Sequence, residues 1–134
     1  MKMVIFYEKP GCATNTRQKA LLRSAGCMIL ERNLLDHGMN RDELYSYLHD
    51  LSVSQWFNPN APAITQGLID PHAFSTSQAL DALMREPILI RRPLMLIAGQ
   101  KMCGFDQLKI EALLGQRLDA RIDESCSSTS DHCA

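Results

Sequence analysis

The chain lacks any run of about 18 apolar residues, so no segment is long enough for a transmembrane helix. It also lacks excess charge: 14 Lys and Arg stand against 15 Asp and Glu, a net charge of −1. That balance leaves no electrostatic footprint for nucleic acid or an anionic membrane. No glycine-rich phosphate loop and no nucleic-acid motif is present. Cysteines number five, odd and irregularly spaced, which argues against a closed disulfide framework. His37, His49 and His72 stand alone, and His132-Cys133 is too thin a pair for zinc, so no metal site is expected. Glu8, Lys9 and Pro10 make the first ten residues read as folded core rather than as a signal peptide. A reducing cytoplasm is the expected compartment, and a monomer the expected state. With 134 residues, 46% hydrophobic and 22% charged, there is room for one domain with a real core and not for two.

What is there begins with Tyr7-Glu8-Lys9-Pro10-Gly11-Cys12-Ala13-Thr14-Asn15-Thr16-Arg17. Residues 3–7 before it are apolar and β-prone and read as a buried strand. Residues 16–25 after it read as a helix ending at Gly26. A cysteine thus stands where strand hands over to helix, behind a Pro-Gly turn. Helix N-termini present unpaired N–H groups and partial positive charge, and both favour thiolate over thiol. Lys9 and Arg17 add charge nearby. The plainer reading is a small buried apolar residue, the usual fate of an unpaired cysteine. Position and flanking residues favour a reactive, low-pKa thiol.

Further along, residues 27–35 read as a second strand, completing a βαβ unit with parallel strands and a right-handed crossover. Asn40 followed by Glu43 has the capping-box pattern, and Leu44, Tyr47, Leu48 and Leu51 repeat at helical spacing. With residues 52–57 this makes a helical insertion, in which Trp56 and Phe57 are expected to pack in the core. Residues 58–63 carry two prolines and read as a loop. Residues 70–73 read as a turn, and Ser75 opens a capped helix with Ala79, Leu80, Leu83 and Met84 on its apolar side. Residues 94–98 read as a strand, 99–100 as a hairpin turn and 101–105 as its partner. Asp106 is expected to cap a last helix with Leu108, Ile110, Leu113 and Leu114 as apolar positions, ended by Gly115. The domain is drawn over residues 1–120. Residues 121–134 are drawn as a flexible tail, small and polar from Asp123 onward.

Two features carry chemistry. Cys12-Ala13-Thr14-Asn15 has asparagine where a thioredoxin-like redox loop has its second cysteine, so a self-contained dithiol cycle at this loop is excluded. Any redox cycle then needs a distant cysteine, a small thiol or another protein. In Arg91-Arg92-Pro93, a guanidinium close to Cys12 would hold an oxyanion, and a proline at a strand start is where cis bonds occur. Two solvated arginines before a strand is the alternative, and spacing alone does not choose. Cys27 and Cys103 fall in strands and read as structural. Cys126 or Cys133 could reach back to Cys12, since ten flexible residues span roughly 15–20 Å, but bystanders fit as well.

The run Phe6-Tyr7-Glu8-Lys9-Pro10-Gly11-Cys12, the block Glu86-Pro87-Ile88-Leu89-Ile90-Arg91-Arg92-Pro93-Leu94, and Lys101-Met102-Cys103-Gly104-Phe105 resemble, in order and spacing, the arsenate reductase-like (ArsC/Spx) family. With Trp56-Phe57-Asn58-Pro59 they look most like its nitrogenase-associated branch. The resemblance covers about residues 3–115. It implies an α/β thioredoxin-like fold with a helical insertion and a mixed central sheet, with Pro93 as the cis-proline. It implies no bound cofactor, and glutathione or glutaredoxin as external reductant. In the family's reductases the cysteine matching Cys12 attacks arsenate and three arginines hold it. The first falls near Asn58 here, the second matches Arg92 and the third falls on Gly104. Losing two charge-assisted interactions of about 1.5–3 kcal/mol each weakens arsenate binding. Arg17 is shifted by one from the family's loop arginine. The regulator branch, which binds RNA polymerase, uses a Cys-x-x-Cys switch that Asn15 removes.

Two readings follow. In the first, Cys12 is the nucleophile of a thiol-dependent reductase or transferase, Arg92 holds the anion, and Thr14, Asn15, Thr16 and Arg17 supply donors. In the second, a non-catalytic thioredoxin-fold protein binds or regulates part of the nitrogen-fixation machinery through the surface around Trp56-Phe57-Asn58-Pro59.

Overall fold

A computed structural model describes residues 2–36 and 38–122; Cys126, Cys133 and the tail from Asp123 lie outside the described residues. The first strand, β1 (Lys2–Glu8), is central. Its side chains alternate, so Val4 and Phe6 are fully buried on one face while Tyr7 packs on the other. Helix α1 (Ala13–Ser24) returns the chain, and β2 (Cys27–Asn33) pairs parallel with β1. Strand β3 (Leu94–Ile97) pairs antiparallel with the other edge of β1, and β4 (Gln100–Cys103) closes the sheet in the order β2-β1-β3-β4. Between β2 and β3 lie α2 (Arg41–Leu48), α3 (Pro62–Thr65) and α4 (Thr76–Arg85); α5 (Gln107–Leu114) follows β4. The expected α/β architecture, a mixed sheet flanked by helices with a helical insertion, is what the chain adopts.

Two cores sandwich the sheet. On one face Leu22 of α1 and Ile110 of α5 pack with Val4, Phe6, Met95 and Ile97. On the other, Leu44, Leu48, Trp56, Leu83 and Ile90 pack under Leu94. Trp56 and Phe57 are core residues, each 2% exposed, and the Trp56 indole N–H donates to the Leu51 carbonyl at 3.0 Å.

Several boundaries differ from the sequence reading for local reasons. The first helix starts at Ala13, not Thr16, because Cys12 itself caps it. The second strand stops at Asn33, whose side chain accepts the Leu35 N–H and starts a 3-10 turn. Residues 58–63 are not all loop: Pro62 occupies the first turn of α3, where its missing N–H costs nothing. The hairpin turns at Ala98-Gly99, both at positive φ, and the fourth strand ends before Gly104. Leu108 does not face inward; it is 73% exposed. The packed chain runs past residue 120, for Arg121 pairs with Glu111 at 3.1 Å and the Ile122 N–H donates to Gln107 at 2.6 Å. Among the described residues no helix is long and apolar enough to cross a membrane.

Candidate active site

Cys12 sits at the junction of β1 and α1. Its N–H donates to the Lys9 carbonyl at 3.1 Å, closing the Pro10-Gly11 turn, and Gly11 takes φ 83, which suits glycine. Its sulfur accepts the Asn15 N–H at 3.5 Å, so the thiol does the capping work usually given to a hydroxyl or carboxylate. The Cys12 carbonyl takes both the N–H and the hydroxyl of Thr16, each at 3.0 Å. No acidic residue stands in the first turn of α1, so its positive end is not offset by its own side chains.

Asn15, at the position where a second cysteine would act, is 1% exposed and locks the loop instead. Its side-chain oxygen accepts the Lys9 N–H at 3.4 Å and its amide donates to Gln18 at 2.9 Å. Thr14 is buried as well, but Thr16 and Arg17 are on the solvent side. The Arg17 guanidinium folds back onto the Thr14 hydroxyl at 3.4 Å.

The fold brings Arg92 to this loop from the other side of β1. Its guanidinium is hydrogen-bonded to the Cys12 sulfur and only 8% exposed. Burial lowers its pKa below the ordinary guanidinium range, and attraction to Cys12 opposes the shift. The Arg92–Pro93 peptide is cis. The Pro93 carbonyl accepts the Gly104 N–H at 2.8 Å, and the Cys103 thiol donates to the Arg91 carbonyl at 3.5 Å, which anchors this segment to β4. Cys12 and Arg92 therefore meet, flanked by Thr14, Asn15 and cis-Pro93.

Three features escaped sequence reading. Lys19, a helix residue with nothing to mark it as internal, is buried behind the loop. Its ammonium lies 2.8 Å from Glu8 and also bonds Glu31, which pairs with Arg23 at 3.2 Å. Burial raises the Glu8 carboxyl above its ordinary 4.5, and the hydrogen bond from Lys19 only partly offsets this. Burial acts to lower Lys19, but its bonds to Glu31 and Glu8 outweigh that and raise it; the same lysine holds Glu31 below the usual range. Gln18 is fully buried with its Nε2 unpartnered, its only cue being a spacing of one helical turn from Asn15. Asn58, where the family's first arginine would fall, is also buried, and its Nδ2 has no partner. Trp56, Phe57 and Asn58 are all buried, and only Pro59 of that motif is exposed. Among the described residues no group of three or more His, Cys, Asp or Glu could hold a metal ion.

The profile of the ArsC family matches residues 7–113, spanning the Cys12 loop, Arg92 and cis-Pro93. The chain belongs to the ArsC family. It is 39% identical over 137 residues to an uncharacterised 15.7 kDa protein from the draG 3' region of Rhodospirillum rubrum, covering 100% of this chain and 96% of that one. It is 23% identical to an arsenate reductase of Acidiphilium multivorum, over 84% of this chain and 82% of that protein. It is 24% identical to the global transcriptional regulator Spx of Lactiplantibacillus plantarum, over 87% and 89% respectively. Among solved structures, an ArsC family related protein from Bacteroides fragilis superposes with a TM-score of 0.71 at 20% identity, covering 82% of this chain and 96% of that one. The arsenate reductase of Vibrio cholerae gives a TM-score of 0.64 at 24% identity, covering 85% and 97%. These ArsC structures share the thioredoxin-like fold of this chain.

Proposed function

We propose that this ArsC-family chain is a thiol-dependent oxidoreductase whose single working cysteine is Cys12. The observation that carries the reading is the Arg92 guanidinium on the Cys12 sulfur at the uncompensated N-terminus of α1. Both partners stabilise negative charge on sulfur, which is the form that attacks. In the reaction, the Cys12 thiolate attacks one sulfur of an oxidised thiol substrate. The substrate's S–S bond breaks and the departing sulfur leaves as thiolate. A thiolate of glutathione or glutaredoxin then attacks the substrate's sulfur in the mixed disulfide; the bond to Cys12 breaks, Cys12 leaves as thiolate, and the substrate's sulfur passes into a new disulfide with the reductant. Thr14 and Asn15 act by shaping the loop; Thr16 and Arg17 lie at its solvent edge. Arsenate is a poorer substrate, because Asn58 and Gly104 leave Arg92 as the one arginine of the family's three. The likeness to a protein of the draG region supports service to nitrogen fixation.

The test is the rate of Cys12 alkylation against pH, with Cys27, Cys103, Cys126 and Cys133 replaced by serine. Rapid labelling at neutral pH, slowed by Arg92→Gln, is the expected result. Labelling no faster than in the urea-unfolded chain overturns the enzymatic reading.

Two observations favour a second reading. Cys12 is only 2% exposed, and two of the family's three arginine positions carry neutral residues. A protein that keeps the fold and binds a nitrogen-fixation partner without chemistry fits those facts, and predicts that Cys12→Ser leaves the complex intact.

A further inference from the structure

A cleft of about 260 Å³ opens between the end of α2, Arg91, β4 and the first turn of α5, and neither Cys12 nor Arg92 lines it. Arg91, Lys101 and Lys109 bring three cations to its wall, against the carboxylates of Asp50 and Asp106. Both carboxylates have other work. Asp106 caps α5 by accepting the Lys109 N–H at 3.2 Å, and Asp50 lies 3.2 Å from the ring of His49. Lys101 is held in place by neutral partners alone: its ammonium donates to the Ser46 hydroxyl at 3.0 Å and lies 5.3 Å from the centre of the Tyr47 ring. Such partners orient an ammonium without neutralising it. Among the described residues neither Lys101 nor Lys109 forms an ion pair. Leu51 and Met102 add an apolar wall.

We infer that this cleft is a second binding site, taking a small organic carboxylate whose anionic group lies among Arg91, Lys101 and Lys109. Its volume falls below the roughly 300–1,000 Å³ of pockets for drug-sized ligands, so the occupant is a few carbons long rather than a nucleotide. The apolar wall favours a carboxylate with a hydrocarbon body over bare phosphate. The site does not depend on Cys12 chemistry, so it stands or falls separately from the function proposed above.

The experiment is an NMR titration of the isotope-labelled full chain with succinate, run beside inorganic phosphate and a sodium chloride series of matched ionic strength. Saturable shifts at the amides of Lys101, Cys103 and Lys109 are expected with succinate, and they persist in Cys12→Ser. Replacing both Lys101 and Lys109 by alanine weakens binding by at least about tenfold, as loss of charge-assisted contacts requires. Neither lysine is buried, so that variant folds, and its circular dichroism checks it. Shifts that match sodium chloride, survive the double substitution or stay confined to the Cys12 loop overturn the inference. Tighter binding of phosphate than succinate overturns the carboxylate assignment.

Discussion

The starts of α4 and α1 solve one problem in opposite ways. Both must satisfy orphan N–H groups at a helix N-terminus. At α4, Ser75 and Gln78 form a reciprocal capping box, the Ser75 hydroxyl accepting the Gln78 N–H at 3.2 Å and Gln78 accepting the Ser75 N–H at 3.0 Å. Both hydrogen bonds of that box are made within the helix start itself. At α1 the cap is a thiol at 3.5 Å, there is no acidic residue in the first turn, and a buried arginine is added from a distant segment. Helix α2, by contrast, puts Asp42 and Glu43 into its first turn. The lack of an acidic first turn is shared with α4, so what sets the α1 start apart is the thiol cap and the buried arginine.

The comparison breaks most severely at Lys19, which ties α1 to the end of β1. Lys19→Met leaves Glu8 buried without its partner and is expected to lower unfolding free energy by about 3–5 kcal/mol in urea denaturation. The double variant Glu8→Gln with Lys19→Met should recover much of that, since no charge is then stranded. Arg92→Gln should slow Cys12 alkylation at pH 7 by about tenfold or more, the equivalent of one charge-assisted hydrogen bond. Ser75→Ala has no such effect on the thiol but costs about 1 kcal/mol of stability. Cys12→Ser should change stability by less than about 1 kcal/mol, because a hydroxyl caps at least as well, while it removes the thiol from the α1 start. If Cys12→Ser proves more destabilising than Ser75→Ala, the α1 cap is structural after all.

The smallest effect is on pH. Glu8 titrates above its unfolded value of 4.5, so its stabilising contribution is complete below that pH and is lost as pH rises through the folded value. Glu31, held low by Lys19, works in the opposite sense: its contribution is complete above 4.5 and is lost as pH falls through its folded value. Glu8→Gln removes the first dependence and leaves the second. Above pH 4.5 the variant's unfolding free energy should therefore fall less than the wild type's, measured by urea melts at closely spaced pH. Parallel curves would show that Glu8 does not titrate in that window.

Much of this protein was legible because the interactions concerned are local. Asn40, Ser75 and Asp106 cap helices through bonds spanning three residues, and the alternation around Val4 and Phe6 marks a strand with a buried face. Asparagine at position 15 excluded a dithiol loop without any coordinates. What sequence left open depended on segments far apart in the chain. Spacing could not decide whether Arg92 is solvated, because its contact with Cys12 exists only once β3 pairs with β1 and the segment preceding β3 is brought beside the loop. Lys19, Gln18 and Asn58 are polar residues that ordinary frequencies place outside, and only packing against β1, β2 and the insertion buries them. Leu108 is the converse case, an apolar position that α5 turns to solvent while Ile110 enters the core. Capping and alternation are short-range and written in neighbouring residues. Burial and the pairing of charges belong to the whole chain, because they depend on which surfaces water has left.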